Sequence, residues 1–459
     1  MRLLLRVPAF LLVLLSAETY AQPDGPERFF SDTAFAPASI SFTVRELQSG
    51  REIFSINPDK SLTPASVQKL VTTAAALELI GQEYRFSTTI AYSGILRPGG
   101  ILDGDIWIKG GGDPSLGSER FFDHYGNLTD TILIAIQRAG IKSIKGSIIA
   151  DDSMFDFNPA PAKWVWEDLG NYYGAGAYGI SVYDNTFRIA LKTGPEGSTP
   201  EILSFEPSID GLQIVNNLTS SGTTDRGYVF SAPYGIFSWI AGTVPVNREN
   251  FVLKASIPDP PQMMATMIRT ALTGSGVKVS GDALTARKTG GSSPEGLNII
   301  KIVYSPTLAD IIKVLNHESV NLYAEHLVKY MGYNDPDGPG RGTTSDGIAT
   351  VMKFLESKEL PLTGIFLEDG SGVSPLNGLT AAFMAELVRV TALNPEVGLL
   401  FRSSLPAAGR EGTMKNYFRD PLFEGVLRAK TGSMTRVRSF AGIFRAASGK
   451  EYVFCYIVN

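Results

Sequence analysis

The chain has 459 residues, long for a single core, and its 41 Lys and Arg against 46 Asp and Glu leave a formal charge of −5. The basic residues are scattered with no block, which argues against nucleic acid as the main partner, and the size predicts two or three domains. One cysteine, Cys455, excludes an intrachain disulfide and reads as a packed core thiol.

The first residues form a distinct segment. Arg2 and Arg6 flank a leucine run through Leu15, followed by Ser16-Ala17 and Thr19-Tyr20-Ala21. This pattern predicts a secretory signal over 1–21, cleaved after Ala21, and hence a periplasmic or secreted protein. A membrane anchor is the alternative, but the apolar run is short for a span and lacks a stop-transfer flank; no later stretch approaches membrane length.

Ile40 to Leu47 and Glu52 to Ile56 alternate apolar and polar residues around Gln48-Ser49-Gly50-Arg51, a β-hairpin signature. Pro64 to Ile80 then carries a helical apolar period at Leu70, Ala74 and Leu77, with Pro64 suited to its entrance and Gly81 to its exit. Three residues make nearly one turn, so Ser66 and Lys69 share a face with hydroxyl and amine within reach. That is a nucleophile-plus-base arrangement.

Beyond it lies a long β-rich region, starting with strands at Phe86–Tyr92 and Gly104–Lys109. Gly110-Gly111-Gly112-Asp113-Pro114 lacks a following Gly-Lys-Ser/Thr and reads as a tight turn rather than a phosphate loop. Thr129–Ala139 has helical spacing, and residues 186–300 read mostly as short strands separated by Pro, Gly and Ser clusters. Helices return at Thr307-Leu308-Ala309-Asp310, at Asn321–Met331, and after Thr380. The chain closes in strands over Val426–Lys430, Val437–Arg445 and Glu451–Val458. The layout suggests an α/β domain made from both chain ends with an insertion of roughly two hundred residues.

Three short motifs recur, and context selects among the copies. Ser-x-x-Lys occurs at Ser66 and Ser275, Ser-x-Asn at Ser55 and Ser319, and Lys-Thr-Gly at Lys192, Lys288 and Lys430. Ser275 sits in a glycine-rich stretch without helical period, and Lys192 and Lys288 read as turns. One ordered set combines helix, helix junction and terminal strand: Ser66/Lys69, Ser319/Asn321 and Lys430/Thr431/Gly432. That trio is shared by class A β-lactamases and penicillin-binding proteins.

Together with Gly110–Leu116, Asp369-Gly370-Ser371-Gly372-Val373-Ser374 and Leu405–Thr413, the chain resembles the class C low-molecular-weight penicillin-binding proteins, the D-alanyl-D-alanine carboxypeptidase/endopeptidase family. The likeness runs over most of the mature chain, and the insertion of about 250 residues between Lys69 and Ser319 is far longer than in β-lactamases. It implies a β-lactamase-like transpeptidase fold, α/β, with an antiparallel five-stranded sheet flanked by helices and with inserted β-rich accessory domains. The implied division is 22–88 and 300–459 catalytic, 89–185 and 262–299 accessory, and 186–261 a nested accessory domain. A helix normally follows the family's sheet, whereas this chain stops at Asn459 in or just after a strand, so one sheet face is expected to be less covered.

The resemblance implies acyl transfer on peptidoglycan peptides ending in D-Ala-D-Ala, with β-lactams as covalent inhibitors and no cofactor. Ser66 would attack, activated by a neutral Lys69 whose pKa is lowered by nearby Lys430 and by burial. Ser319 could pass the proton to the leaving amine with Lys430 assisting, Asn321 would bond the peptide backbone, and Lys430 and Thr431 would hold the terminal carboxylate. The N–H groups of Ser66 and Ser433, beside Gly432, would form the oxyanion hole, worth roughly 3 kcal/mol per donor. Asp152 is implied in recognising the amine-bearing stem-peptide side chain, a capping or turn aspartate being the alternative. Asp369 and Ser371 could shape the site, or could simply belong to a Gly-rich turn. His124, His317 and His326 show no metal-ligand spacing, so no metal is expected. A serine β-lactamase or esterase on the same scaffold, and a non-catalytic wall-binding protein, are the competing readings.

Overall fold

The computed structural model describes residues 33–459, so the expected signal segment lies outside the described residues. These residues form two compact units, one of 33–83, Leu308–Val320 and Ile348–Asn459, the other of Tyr84–Thr307 and Asn321–Gly347.

The first unit is built on a five-stranded antiparallel sheet in the order Leu427–Met434, Val437–Arg445, Glu451–Val458, Ile40–Glu46, Glu52–Ile56. The N-terminal hairpin completes it, because Ile40 lies opposite Val458 and the register runs without a break to Glu46 opposite Tyr452. The period of two sends Phe42, Phe440, Phe444, Phe454 and Tyr456 to one face, where they pack with Phe35, Phe418 and Phe423 in an aromatic core. The other face carries Thr43, Ala441 and Cys455, all fully buried, and packs on the helix Ala381–Leu393. That helix is apolar on nearly every side, as a core helix is, and the Thr380 hydroxyl caps it by accepting the Phe383 N–H at 3.1 Å. Both faces of the sheet are buried at its centre.

The segment expected as one α-helix from Pro64 has two parts. Ala65–Gln68 is a 3-10 turn, and the α-helix runs Lys69–Leu79 with every residue from Lys69 to Leu77 buried. The cause is local: Ala65 takes a left-handed φ of 49°, which prevents an α-helical start and tightens the first turn.

The second unit contains a mixed five-stranded sheet, in the order Ala283–Thr285, Ile148–Asp151, Ile106–Lys109, Ser87–Tyr92, Asn298–Tyr304. Ile90, Ile108 and Ile148 share one core with Ile132 and Ile136 of the helix Leu128–Arg138 and Ile268 and Leu272 of the helix Pro260–Gly274. The latter helix interrupts residues 186–300, which the sequence alone predicts as mostly short strands. Its signal was present in Asp259-Pro260, since the Asp259 carboxylate accepts the Gln262 N–H at 3.1 Å and proline suits the first helical position. Two three-stranded sheets, Thr186–Lys192 with its neighbours and Gln213–Ser220 with its neighbours, enclose a separate core around Ile189, Leu218, Ile240 and Leu253. Lys192 ends a strand, whereas Lys288 and Thr289 lie in a short helix, Ala286–Thr289, closed by left-handed Gly290.

His326, on the helix Asn321–Tyr333, is fully buried between the Gly112 carbonyl, 3.0 Å from Nδ1, and the Ser181 hydroxyl, 2.7 Å from Nε2. A carbonyl only accepts, so Nδ1 carries the proton and Nε2 accepts from Ser181. Burial pushes this imidazole down to about 3 from its ordinary 6.5. Between those values the unfolded chain binds a proton that the fold refuses. The His326 contribution to stability is therefore complete above pH 6.5 and is lost as pH falls towards 3, a term on the order of 4 kcal/mol. Thermal melts of the protein and of His326→Gln across pH 7 to 4 test this: the parent should lose stability more steeply, and parallel curves would contradict it.

Candidate active site

Within the first unit, three stretches remote in sequence meet at one buried pocket. The 3-10 turn stacks residues i and i+3, so Lys69 stands directly over Ser66, and its Nζ donates to the Ser66 Oγ at 2.9 Å. The same ammonium donates to the Ser371 carbonyl at 2.7 Å. Ser319 follows the helix Leu308–Glu318 in a left-handed conformation, φ 61°, which turns its side chain out of the helix; Lys430 Nζ donates to its hydroxyl at 2.8 Å and to the Thr431 carbonyl at 2.8 Å. Lys69 and Lys430 are both 0% exposed. Burial, and then the charge of Lys69, hold Lys430 well below the ordinary lysine range.

The edge strand Leu427–Met434 brings Lys430, Thr431, Gly432 and Ser433 alongside the Ser66 turn. Gly432 has to be glycine: a Cβ there would lie 2.1 Å from the Ser439 Oγ, 2.7 Å from the Pro64 carbonyl and 3.0 Å from the Ser66 nitrogen. The bare backbone lets this strand pack directly against the Ser66 turn. Thr431 is half-buried and Ser433 exposed, on either side of Gly432 along the strand.

The 369–374 loop closes the other side of the turn. The Asp369 carboxylate accepts from the N–H groups of Gly372 at 2.7 Å and Ser374 at 2.6 Å, and from the amides of Asn377 at 2.9 Å and Gln68 at 3.1 Å. Folded this way, the loop aims the Gly370 carbonyl at the Thr72 hydroxyl, 2.6 Å, and the Ser371 carbonyl at Lys69. Gly372, at φ 81°, presses on the turn so closely that a Cβ would come within 2.1 Å of the Ala65 carbonyl oxygen.

Of the sequence-derived candidates, Ser66, Lys69, Ser319, Lys430, Thr431, Gly432 and Ser433 thus share one unit and one pocket. Asn321 and Asp152 belong to the second unit. There the Asn321 amide donates to the Tyr173 carbonyl at 2.7 Å. Asp152, 5% exposed, is ion-paired with Arg287, which also bonds Asp259 at 2.8 Å and stacks on Tyr234. Burial raises the Asp152 pKa against the opposing pull of Arg287. An amine reaching this carboxylate would compete with an ion pair already made. Sequence reasoning missed Gln68, Thr72 and Asn377, whose contacts span up to 309 positions, and it missed Ser439. Only Ser439 left a trace, as the one hydroxyl in the otherwise apolar row Val437, Ala441, Ile443.

Comparisons with known proteins follow the same pattern. The model of the D-Ala-D-Ala carboxypeptidase 3 (S13) family matches residues 27–459. A D-alanyl-D-alanine carboxypeptidase of an Actinomadura species is 26% identical over 94% of this chain and 80% of its own length. The D-alanyl-D-alanine carboxypeptidase DacB of Haemophilus influenzae is 23% identical over 99% of this chain and 89% of its own. In structure, penicillin binding protein 4 (dacB) from Haemophilus influenzae superposes with a TM-score of 0.79 at 23% identity, covering 92% of this chain and 90% of that one; the same protein complexed with a novel beta-lactam gives 0.75 at 22% identity, covering 92% and 90%. The likeness in structure establishes the fold. With the family model matched from residue 27 to the last residue, the chain belongs to the D-Ala-D-Ala carboxypeptidase 3 (S13) family and is a serine-type hydrolase of the carboxypeptidase/endopeptidase class.

Proposed function

We propose that Ser66 is the nucleophile through which this enzyme cleaves peptidoglycan stem peptides ending in D-Ala-D-Ala, and cross-links that contain D-Ala, by way of an acyl-enzyme. The observation that carries the reading is the pairing of two buried lysines with two hydroxyls, Lys69 on Ser66 at 2.9 Å and Lys430 on Ser319 at 2.8 Å. Burial and the charge of Lys69 weaken the hold of Lys430 on its proton in the free pocket; the substrate's carboxylate beside Lys430 reverses that preference, so that Lys430 keeps the proton and Lys69 is the base.

Lys69 takes the Ser66 hydroxyl proton as Oγ attacks the carbonyl carbon of the penultimate D-Ala. The oxyanion forms beside the Ser66 and Ser433 N–H groups. The peptide C–N bond then breaks, and the leaving amine takes a proton through Ser319, with Lys430 restoring it. Water then hydrolyses the ester, giving a proton to Lys430 by way of Ser319 while Lys69 returns its proton to the departing Ser66 oxygen, which restores both lysines. Lys430 and Thr431 hold the substrate's terminal carboxylate, whose negative charge favours the protonated form of Lys430 when substrate arrives. Asn321 supports the peptide backbone, and Asp152 reads the stem-peptide side chain. β-Lactams acylate Ser66 by the same attack, in keeping with the beta-lactam complex of the Haemophilus relative.

The same reading places the enzyme in the periplasm or outside the cell, released by cleavage after Ala21; no helix among the described residues is long and apolar enough to cross a membrane. It divides the chain into a catalytic domain of 22–88 and 300–459, an accessory domain of 89–185 and 262–299, and a nested one of 186–261. The separate core around Ile189 and Leu218 supports the last of these.

Incubation with a labelled penicillin and with a muropeptide ending in D-Ala-D-Ala tests the assignment. Stable labelling and D-Ala release should both vanish in Ser66→Ala. Rapid penicillin turnover without D-Ala release would indicate a β-lactamase instead, and a protein that takes no label would leave only wall binding. A second test uses the lowered Lys430 pKa. Below the ordinary lysine value of 10.5 the unfolded chain binds a proton that the fold resists, so stability should rise as pH increases from 7 towards 10. Lys430→Met removes that rise, and denaturation curves whose pH slope is unchanged in the variant would refute the buried, proton-poor Lys430.

A further inference from the structure

We propose that Ser439 is a positioning residue for the oxyanion-binding turn, a role that rests on Ser66 being the nucleophile. Ser439 lies on the strand Val437–Arg445, directly opposite Gly432, and is 0% exposed. Its hydroxyl donates to the Pro64 carbonyl at 2.5 Å, across 375 positions of sequence. Val437, Ala441 and Ile443 occupy the other buried positions of the same row, so a lone hydroxyl there is unfavourable unless it is hydrogen-bonded. Its partner lies on the turn that carries the nucleophile.

The bond reaches the reacting atoms through one residue. Pro64 precedes Ala65, whose left-handed φ of 49° is costly for a residue with a Cβ and persists only when its neighbours enforce it. The peptide before Ala65 is held by Ser439 at the Pro64 carbonyl. The peptide after it is confined by Gly372, packed against the Ala65 carbonyl oxygen. That second peptide supplies the Ser66 N–H. Fixing both peptide planes fixes the direction of this N–H, the donor that the proposed function assigns to the tetrahedral oxyanion. Gly432 also makes the bond possible, because a Cβ there would sit 2.1 Å from the Ser439 Oγ. Without the hydroxyl, Ala65 is free to leave its left-handed conformation, and the donor swings away from the place where charge develops.

The test compares the full protein with Ser439→Ala, Ser439→Thr and Ser439→Cys, using labelled penicillin, D-Ala release from a muropeptide, and an acylaminoalkyl boronic acid that forms a tetrahedral adduct on the serine. In Ser439→Ala, acylation should slow on the order of 10-fold to 100-fold with KM for the muropeptide unchanged, since the loss is in orientation rather than binding. Boronic acid affinity should fall by the same factor, because the adduct mimics the transition state. Ser439→Thr keeps the hydroxyl and should restore both, while Ser439→Cys, close in volume with a weaker donor, should fall between and carries the comparison if the alanine variant does not fold. Acylation of Ser439→Ala at the parent rate, a rate loss without a matching loss of boronic acid affinity, or a threonine variant as slow as the alanine one would each overturn the role of Ser439 alone. A parent protein that takes no label would instead overturn Ser66 as nucleophile, and this role with it.

Discussion

Two lysine side chains lie fully buried in one pocket of the first unit, each bonded to a serine hydroxyl. Withdrawing an ammonium from water is expensive, and placing a second beside it adds repulsion, so such a pair persists only where polar groups are fixed around it. The backbone supplies them: the Ser371 carbonyl meets Lys69 and the Thr431 carbonyl meets Lys430. Carbonyls solvate charge without neutralising it. The pocket holds Lys430 well below the ordinary lysine range, through burial and then the charge of Lys69.

Carbonyls can do this only if the backbone that carries them is held still. Asp369 gathers the N–H groups of Gly372 and Ser374 with the amides of Gln68 and Asn377, which folds a loop of small residues into one conformation. Left-handed residues at Ala65 and Ser319 turn both serine-bearing segments out of their helices. Strained backbone of this kind is sustained by the surrounding packing, and here that packing is the five-stranded sheet and the buried helix Ala381–Leu393. The close contacts at Gly432 and Gly372 then follow from having three backbone segments converge where side chains would normally keep them apart.

The second unit answers to different constraints. Several of its buried polar groups are paired with one another: His326 lies between Gly112 and Ser181, Lys329 bonds Asp156 at 2.7 Å, and Arg287 joins Asp152 and Asp259. Groups so engaged stabilise a β-rich body with two separate apolar cores. Asn321 shows how close the two regimes come in sequence, since it stands two residues after Ser319 yet begins a helix of the other unit.

What the sequence by itself determined was local: helix and strand periods, the cap at Thr380, and the order of three motifs that singled out Ser66, Lys69, Ser319 and Lys430 from their chance copies. Those features are legible because hydrogen-bonding range along the chain is set by residue spacing alone. The 3-10 form of the Ser66 turn was not legible, since a left-handed alanine leaves no compositional mark. Nor were the Gln68–Asp369 bond and the Ser439 bond, whose partners lie about 300 and 375 positions apart. Tertiary structure decided these, because it alone sets which backbone carbonyl faces a buried amine or hydroxyl, and that choice depends on the register of strands drawn from opposite ends of the chain.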